Sequence, residues 1–198
     1  MKHAIRVFAL ACALVTIAAP KHTAAQKNSA VQRQPVAKPA SLRDELLDDW
    51  TYQKASILKL VDYMPADKFN FTPQMPPQRF DDHGGAVEEF GKRVLFIAQV
   101  NFRFLGLIGG KATPPPEPNE TMRSKEASMK AVEQSYDWGI ALLNELNDQA
   151  LTQTVTASFL GETSRLRIFN YLMGHTRQID GQLALYERMA GVALPFLQ

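Results

Sequence analysis

Four stretches of this chain repeat apolar residues at three- and four-residue steps, each for five turns or more, and proline or glycine closes three of them. Leu47, Trp50, Ile57, Val61 and Met64 form the first stripe, with Lys54 at one of its steps and Pro65 as its stop. Val87, Phe90, Val94, Ile97, Asn101, Leu105 and Ile108 form the second, which Gly109-Gly110 ends. Met129, Val132, Tyr136, Leu143 and Leu146 form the third, with Gly139 placed to allow a close approach. Leu166, Phe169, Leu172, Ile179, Leu183 and Tyr186 form the fourth, with Gly191 and then Pro195 after it. A 3.6-residue apolar period predicts helices with one buried face, and four such helices bury those faces against one another. The expectation is an all-α protein, a single up-down-type four-helix bundle with long loops between helices.

The boundaries follow from cap and breaker chemistry. Ser41 precedes Asp44 and Glu45, so its side chain can cap the first helix while the acids oppose the helix dipole. The second connection, 111–119, holds four prolines and must be a loop. The third helix is expected over 124–147 and the fourth from Thr163 to about Ala190, with a short polar or strand-like segment, 149–161, between them.

The first forty residues belong to no helix of this set. Lys2, His3 and Arg6 precede an uncharged apolar run from Val7 to Ala19, and Thr23-Ala24-Ala25 supplies small residues for a signal peptidase. This layout predicts a signal peptide over 1–25, a flexible leader over 26–40 and a folded domain over 41–198. The run is too short to span a bilayer, so the expectation is export to a periplasm or beyond the cell, with no stable membrane anchor. Cys12 lies inside the apolar run and does not end it, which argues against a lipid-modified cysteine. Cleavage after Ala25 removes that single cysteine together with Lys2, Arg6 and Lys21, leaving 19 Lys and Arg against 20 Asp and Glu. A nucleic-acid partner needs a concentrated basic surface, and none is expected here.

Few residues carry chemistry. His175, Ile179, Gln182 and Tyr186 share one face of the fourth helix. Gln99 and Asn101 sit at helical positions that can face the interior. His175, Gln99, Asn101 and Gln182 are therefore the candidate ligand-binding residues, for a small molecule held between helices. The competing reading of His175 is a buried polar group satisfied by Tyr136, Asn101 or Asn170. Asp81-Asp82-His83 is a compact acid–histidine cluster before Gly84-Gly85, better read as a solvated helix start than as a site. No Gly-x-Ser-x-Gly elbow is present, and no catalytic residue is assigned.

Several segments together resemble the DinB-like family of bacterial four-helix proteins. They are Met64-Pro65-Ala66-Asp67-Lys68-Phe69-Asn70-Phe71-Thr72-Pro73 after the first helix, Phe90-Gly91 and Ile97-Ala98-Gln99-Val100-Asn101-Phe102 in the second, and His175 through Gly181-Gln182 and Tyr186 to Pro195 at the end. The likeness covers 41–195. It implies a divalent-metal site of three histidines, one on the second helix and two spaced four apart on the fourth, used in some relatives to activate a thiol. With Gly181 as the register mark, His175 takes the first position on the fourth helix and Ile179 the second, while Phe96 falls at the position on the second helix. Phe96 and Ile179 have no lone pair to give a metal, and both are expected to fill the space the ion would take. No cofactor is therefore expected, and the chain leans away from an enzyme toward a small-ligand-binding or protein-interaction module, with a homodimer face as one form of that interaction. The alternative is a metal- and thiol-dependent transferase that holds zinc, nickel or manganese through a non-standard set around His175. A metal-free hydrolase or isomerase with His175 as base ranks last.

Overall fold

The computed structural model describes residues 41–74, 87–157 and 160–193. The expected signal peptide and leader, the Asp81-Asp82-His83 cluster and Pro195 lie outside the described residues. Helix α1 (Leu42–Tyr63) starts as expected, with the Ser41 hydroxyl accepting from the Asp44 amide at 3.1 Å. A 3-10 turn (Ala66–Lys68) follows Pro65. Helix α2 (Phe90–Leu105) has no side-chain cap. Its first amides are met instead by the aromatic connector: Phe90 N–H donates to Phe71 O and Gly91 N–H to Phe69 O, both at 2.9 Å. A Cβ on Gly91 would lie 2.7 Å from the Phe69 ring, so the connector and the glycine fit as a unit.

Helix α3 (Lys125–Glu145) is capped by Ser124, whose hydroxyl accepts from the Ala127 amide. The polar stretch after it resolves into a short helix, α4 (Asp148–Thr152), and an antiparallel hairpin of β1 (Thr154–Ala157) and β2 (Gly161–Ser164). Helix α5 (Arg165–Met189) begins two residues later than expected because Ser164 is its cap. It ends at Gly191, whose φ of 74° lets the Val192 amide turn back to Glu187 O at 2.8 Å.

The four long helices pack in the cyclic order α1, α3, α2, α5 around one core. Contact pairs fix their directions. Lys54 meets Asp137 and Asp62 meets Lys125, so α1 and α3 are antiparallel. Trp50 packs on Phe169 and Gln53 Nε2 donates to Met173 O, so α1 and α5 run together. Asn101 bonds Ser135 and Phe102 packs on Trp138, so α2 and α3 also run together. The alternation expected of an up-down bundle is therefore broken between α2 and α3, which are consecutive. The connection over 106–124 makes this possible, since 19 residues can reach ~60 Å and α3 is only ~32 Å long. Amphipathic stripes carry no information on direction, which is why the pattern alone did not give it.

Arg165 ties the lower elements together. Its Nε donates to Ile108 O at 2.7 Å, and one terminal nitrogen donates to Ala150 O at 3.1 Å and Gln153 Oε1 at 2.9 Å. Arg165→Ala is expected to cost about 1–2 kcal/mol in urea unfolding, because three acceptors lose a charged donor. A loss near zero would show that solvent replaces the clamp.

Candidate functional site

The α5 face singled out in the sequence does meet α2. His175 is half-buried, with the Phe96 ring edge-on at 5.3 Å and the Tyr171 ring stacked at 6.4 Å. Its Nδ1 is buried and has no hydrogen-bond partner among the described residues. Burial first, and then the nearby Arg93 guanidinium, hold its pKa below the usual imidazole value, so the ring is neutral at neutral pH. The Arg93 Nε and Gln182 Oε1 are likewise buried and unpartnered.

One expectation about His175 needs correction. Tyr136, Asn101 and Asn170 do not satisfy it. The Tyr136 hydroxyl donates to Thr176 Oγ1 at 3.1 Å, Asn101 Nδ2 donates to Ser135 Oγ at 3.1 Å, and Asn170 is exposed. These bonds form a separate polar seam inside the bundle, where burial pushes the Tyr136 phenol well up. Ile179 is in the core at 3% exposure, and Phe96, 38% exposed, covers His175 from outside. Val94, Ile97 and Ala98 occupy the inner face of α2, and Phe96 lies one ~100° step round from Ile97.

The donor set does not fit a three-histidine centre. One imidazole faces a phenyl ring, and the adjacent position is an aliphatic side chain. Among the described residues no three His, Cys, Asp or Glu side chains converge on a point.

The four candidate residues are not brought together. Asn101 turns inward to α3, while His175 and Gln182 lie two turns apart on α5. Gln99 lines an open cleft of about 430 Å³ with Phe102, Arg103, Glu117 and Pro118. A second cleft of about 370 Å³ shares Phe102 and Arg103, and adds Trp138, Leu142, Gly106 and Ala112 among its walls. Trp138 is fixed there by its Nε1–H, which donates to Ala112 O at 3.2 Å. Trp138 and Phe102 pack on each other at 5.6 Å; Phe102 walls both clefts and Trp138 the second.

One buried group went unnoticed in the sequence. Glu187 is 0% exposed, and neither carboxylate oxygen has a hydrogen-bond partner among the described residues. Its desolvation, with Asp180 adding repulsion and Lys125 opposing it, pushes its pKa to about 8. The spacing Thr176, Asp180, Leu183, Glu187 could have shown it, since these share one helical face.

Among curated proteins none matches the chain. Among solved structures, a DinB-like protein from Bacillus cereus ATCC 10987 is similar in fold, with a TM-score of 0.61 at 19% identity over 76% of this chain and 93% of that one. The family model of the DinB superfamily matches residues 53–183. That span runs from the first long helix into the last and takes in the aromatic connector, and it shows that the protein belongs to the DinB superfamily.

Proposed function

We propose that this DinB-superfamily chain is an exported, metal-free module that binds a small ligand on the outer flank of a four-helix bundle. The observation that carries the reading is the pair of clefts sharing Phe102 and Arg103, with Gln99 on one wall. Rigid aromatic walls beside a few polar groups are what small-molecule sites are made of. Replacement of two metal-ligand positions by Phe96 and Ile179 supports the metal-free part, and the basic start with its apolar run over 7–19 supports export.

A second reading rests on the unpartnered His175 Nδ1, a buried lone pair that a divalent ion could use in a metal- and thiol-dependent transferase. One experiment separates the two. The untagged whole chain is assayed for metal and screened by NMR against a small-fragment library. The expected result is no stoichiometric zinc, nickel or manganese, and fragment-induced shifts within residues 99–118. Stoichiometric metal lost in His175→Ala establishes the second reading, and a cleft that no fragment perturbs overturns the first.

A further inference from the structure

The two clefts differ in chemistry, and the difference constrains what they hold. The wall of the cleft that holds Trp138 is mostly apolar: the Phe102 and Trp138 rings are tilted 45° to each other, with Leu142 and Ala112 beside them. Trp138 is 8% exposed and held through its Nε1–H, so its ring is a fixed surface. The other cleft is more polar, with Gln99, Arg103 and Glu117 beside Phe102 and Pro118.

Arg103 stands on the shared edge and is exposed. The neighbouring charges are otherwise engaged: Glu120 pairs with Arg123, and Glu145 accepts from the Lys111 amide at 2.7 Å. Arg103 makes no ion pair or hydrogen bond among the described residues. A free guanidinium beside an aromatic wall presents a planar fork of donors matched to a carboxylate.

From this juxtaposition we infer that the cleft takes a small aromatic carboxylate, its ring against Phe102 and Trp138 and its carboxylate on Arg103. The inference rests on the reading of this cleft as the ligand site, and adds the ligand class. Glu117, which lines the more polar of these clefts with Arg103, also offers a partner for an ammonium group. The shared chemistry is a ring plus a carboxylate, and a plain aryl carboxylate and an aromatic amino acid are its two sources.

The test titrates the isotope-labelled whole chain with phenylacetate, phenylalanine and acetate, following amides 99–118 by NMR. Phenylacetate or phenylalanine is expected to bind at least about tenfold more tightly than acetate, because only they reach the ring wall. Arg103→Gln is expected to weaken binding about tenfold, and His175→Leu to leave it unchanged. Phenylalanine binding that Glu117→Gln weakens identifies the amino acid, and tighter phenylacetate identifies the plain acid. Acetate equal to phenylacetate overturns the ring assignment. Binding that His175→Leu abolishes and Arg103→Gln does not overturns the location. If neither ring compound binds while other fragments shift 99–118, the ligand class fails and the ligand site stands; if no fragment shifts them, both fail.

Discussion

Gly139→Ala is expected to destabilise the fold by about 3 kcal/mol, although alanine is the better helix former by about 1 kcal/mol. A Cβ at position 139 would lie 2.6 Å from Trp50 Nε1 and 2.7 Å from two further indole atoms. The indole cannot retreat. It is fully buried, its Nε1–H donates to Tyr136 O at 3.0 Å, and Tyr136 and Phe169 hold its faces at 4.7 and 5.3 Å. The same change at Gly174 or Gly181, where a Cβ meets nothing within 4 Å, is expected to stabilise by about 1 kcal/mol, since propensity then acts alone. Urea unfolding of the three single variants checks the opposite signs. A double-mutant cycle with Trp50→Phe checks the cause: the smaller ring should recover part of the Gly139→Ala loss, and strict additivity would place the damage elsewhere.

That contact was legible in the sequence, where a glycine interrupts the apolar stripe of α3. The inward faces of the four helices, the cap at Ser41 and the stop at Gly191 were legible for the same reason, because each is set by local chemistry. What stayed hidden depends on partners far along the chain. Asn101 was read as inward, but its bond to Ser135 requires α2 and α3 to run in the same direction, and stripes do not encode direction. The family register places Phe96 beside His175 without saying from which side, and it stands outside because Ile97 and Ala98 take the inner face. Prolines forbid a helix over 113–118 without saying where the loop will lie, so the clefts walled by Pro114 and Pro118 emerged with the fold. The candidate site was thus legible residue by residue in Gln99, and illegible as a surface.

Glu187 should make stability fall as pH rises through neutrality, and Glu187→Gln should abolish that fall. The carboxyl sits in the last turn of α5, sealed from solvent, and the cation that could answer it is occupied elsewhere. Lys125 Nζ donates to Asp62 O at 2.7 Å and pairs with Asp62 Oδ1 at 3.0 Å. Asp180, itself raised by burial, adds repulsion. The folded state therefore keeps the Glu187 proton up to about pH 8, whereas the unfolded chain releases it near 4.5. Between those values the folded state binds more protons, so the slope of stability with pH is negative. The contribution is complete below 4.5 and is lost as pH approaches 8. His175 acts oppositely: with its pKa held below 6.5, it lowers stability only on the acid side of that value. The window from pH 6.5 to 8 thus isolates Glu187. Across it the native chain should lose about 1–2 kcal/mol, allowing for solvent screening near the end of the bundle. Glutamine reproduces the shape of the protonated acid without a titrating proton, so the variant's unfolding free energy should be flat over that window and exceed the native value at pH 8. A native profile flat from pH 6.5 to 8, or a variant as steep as the native chain, would mean that Glu187 is ionised in the fold and finds a cation there.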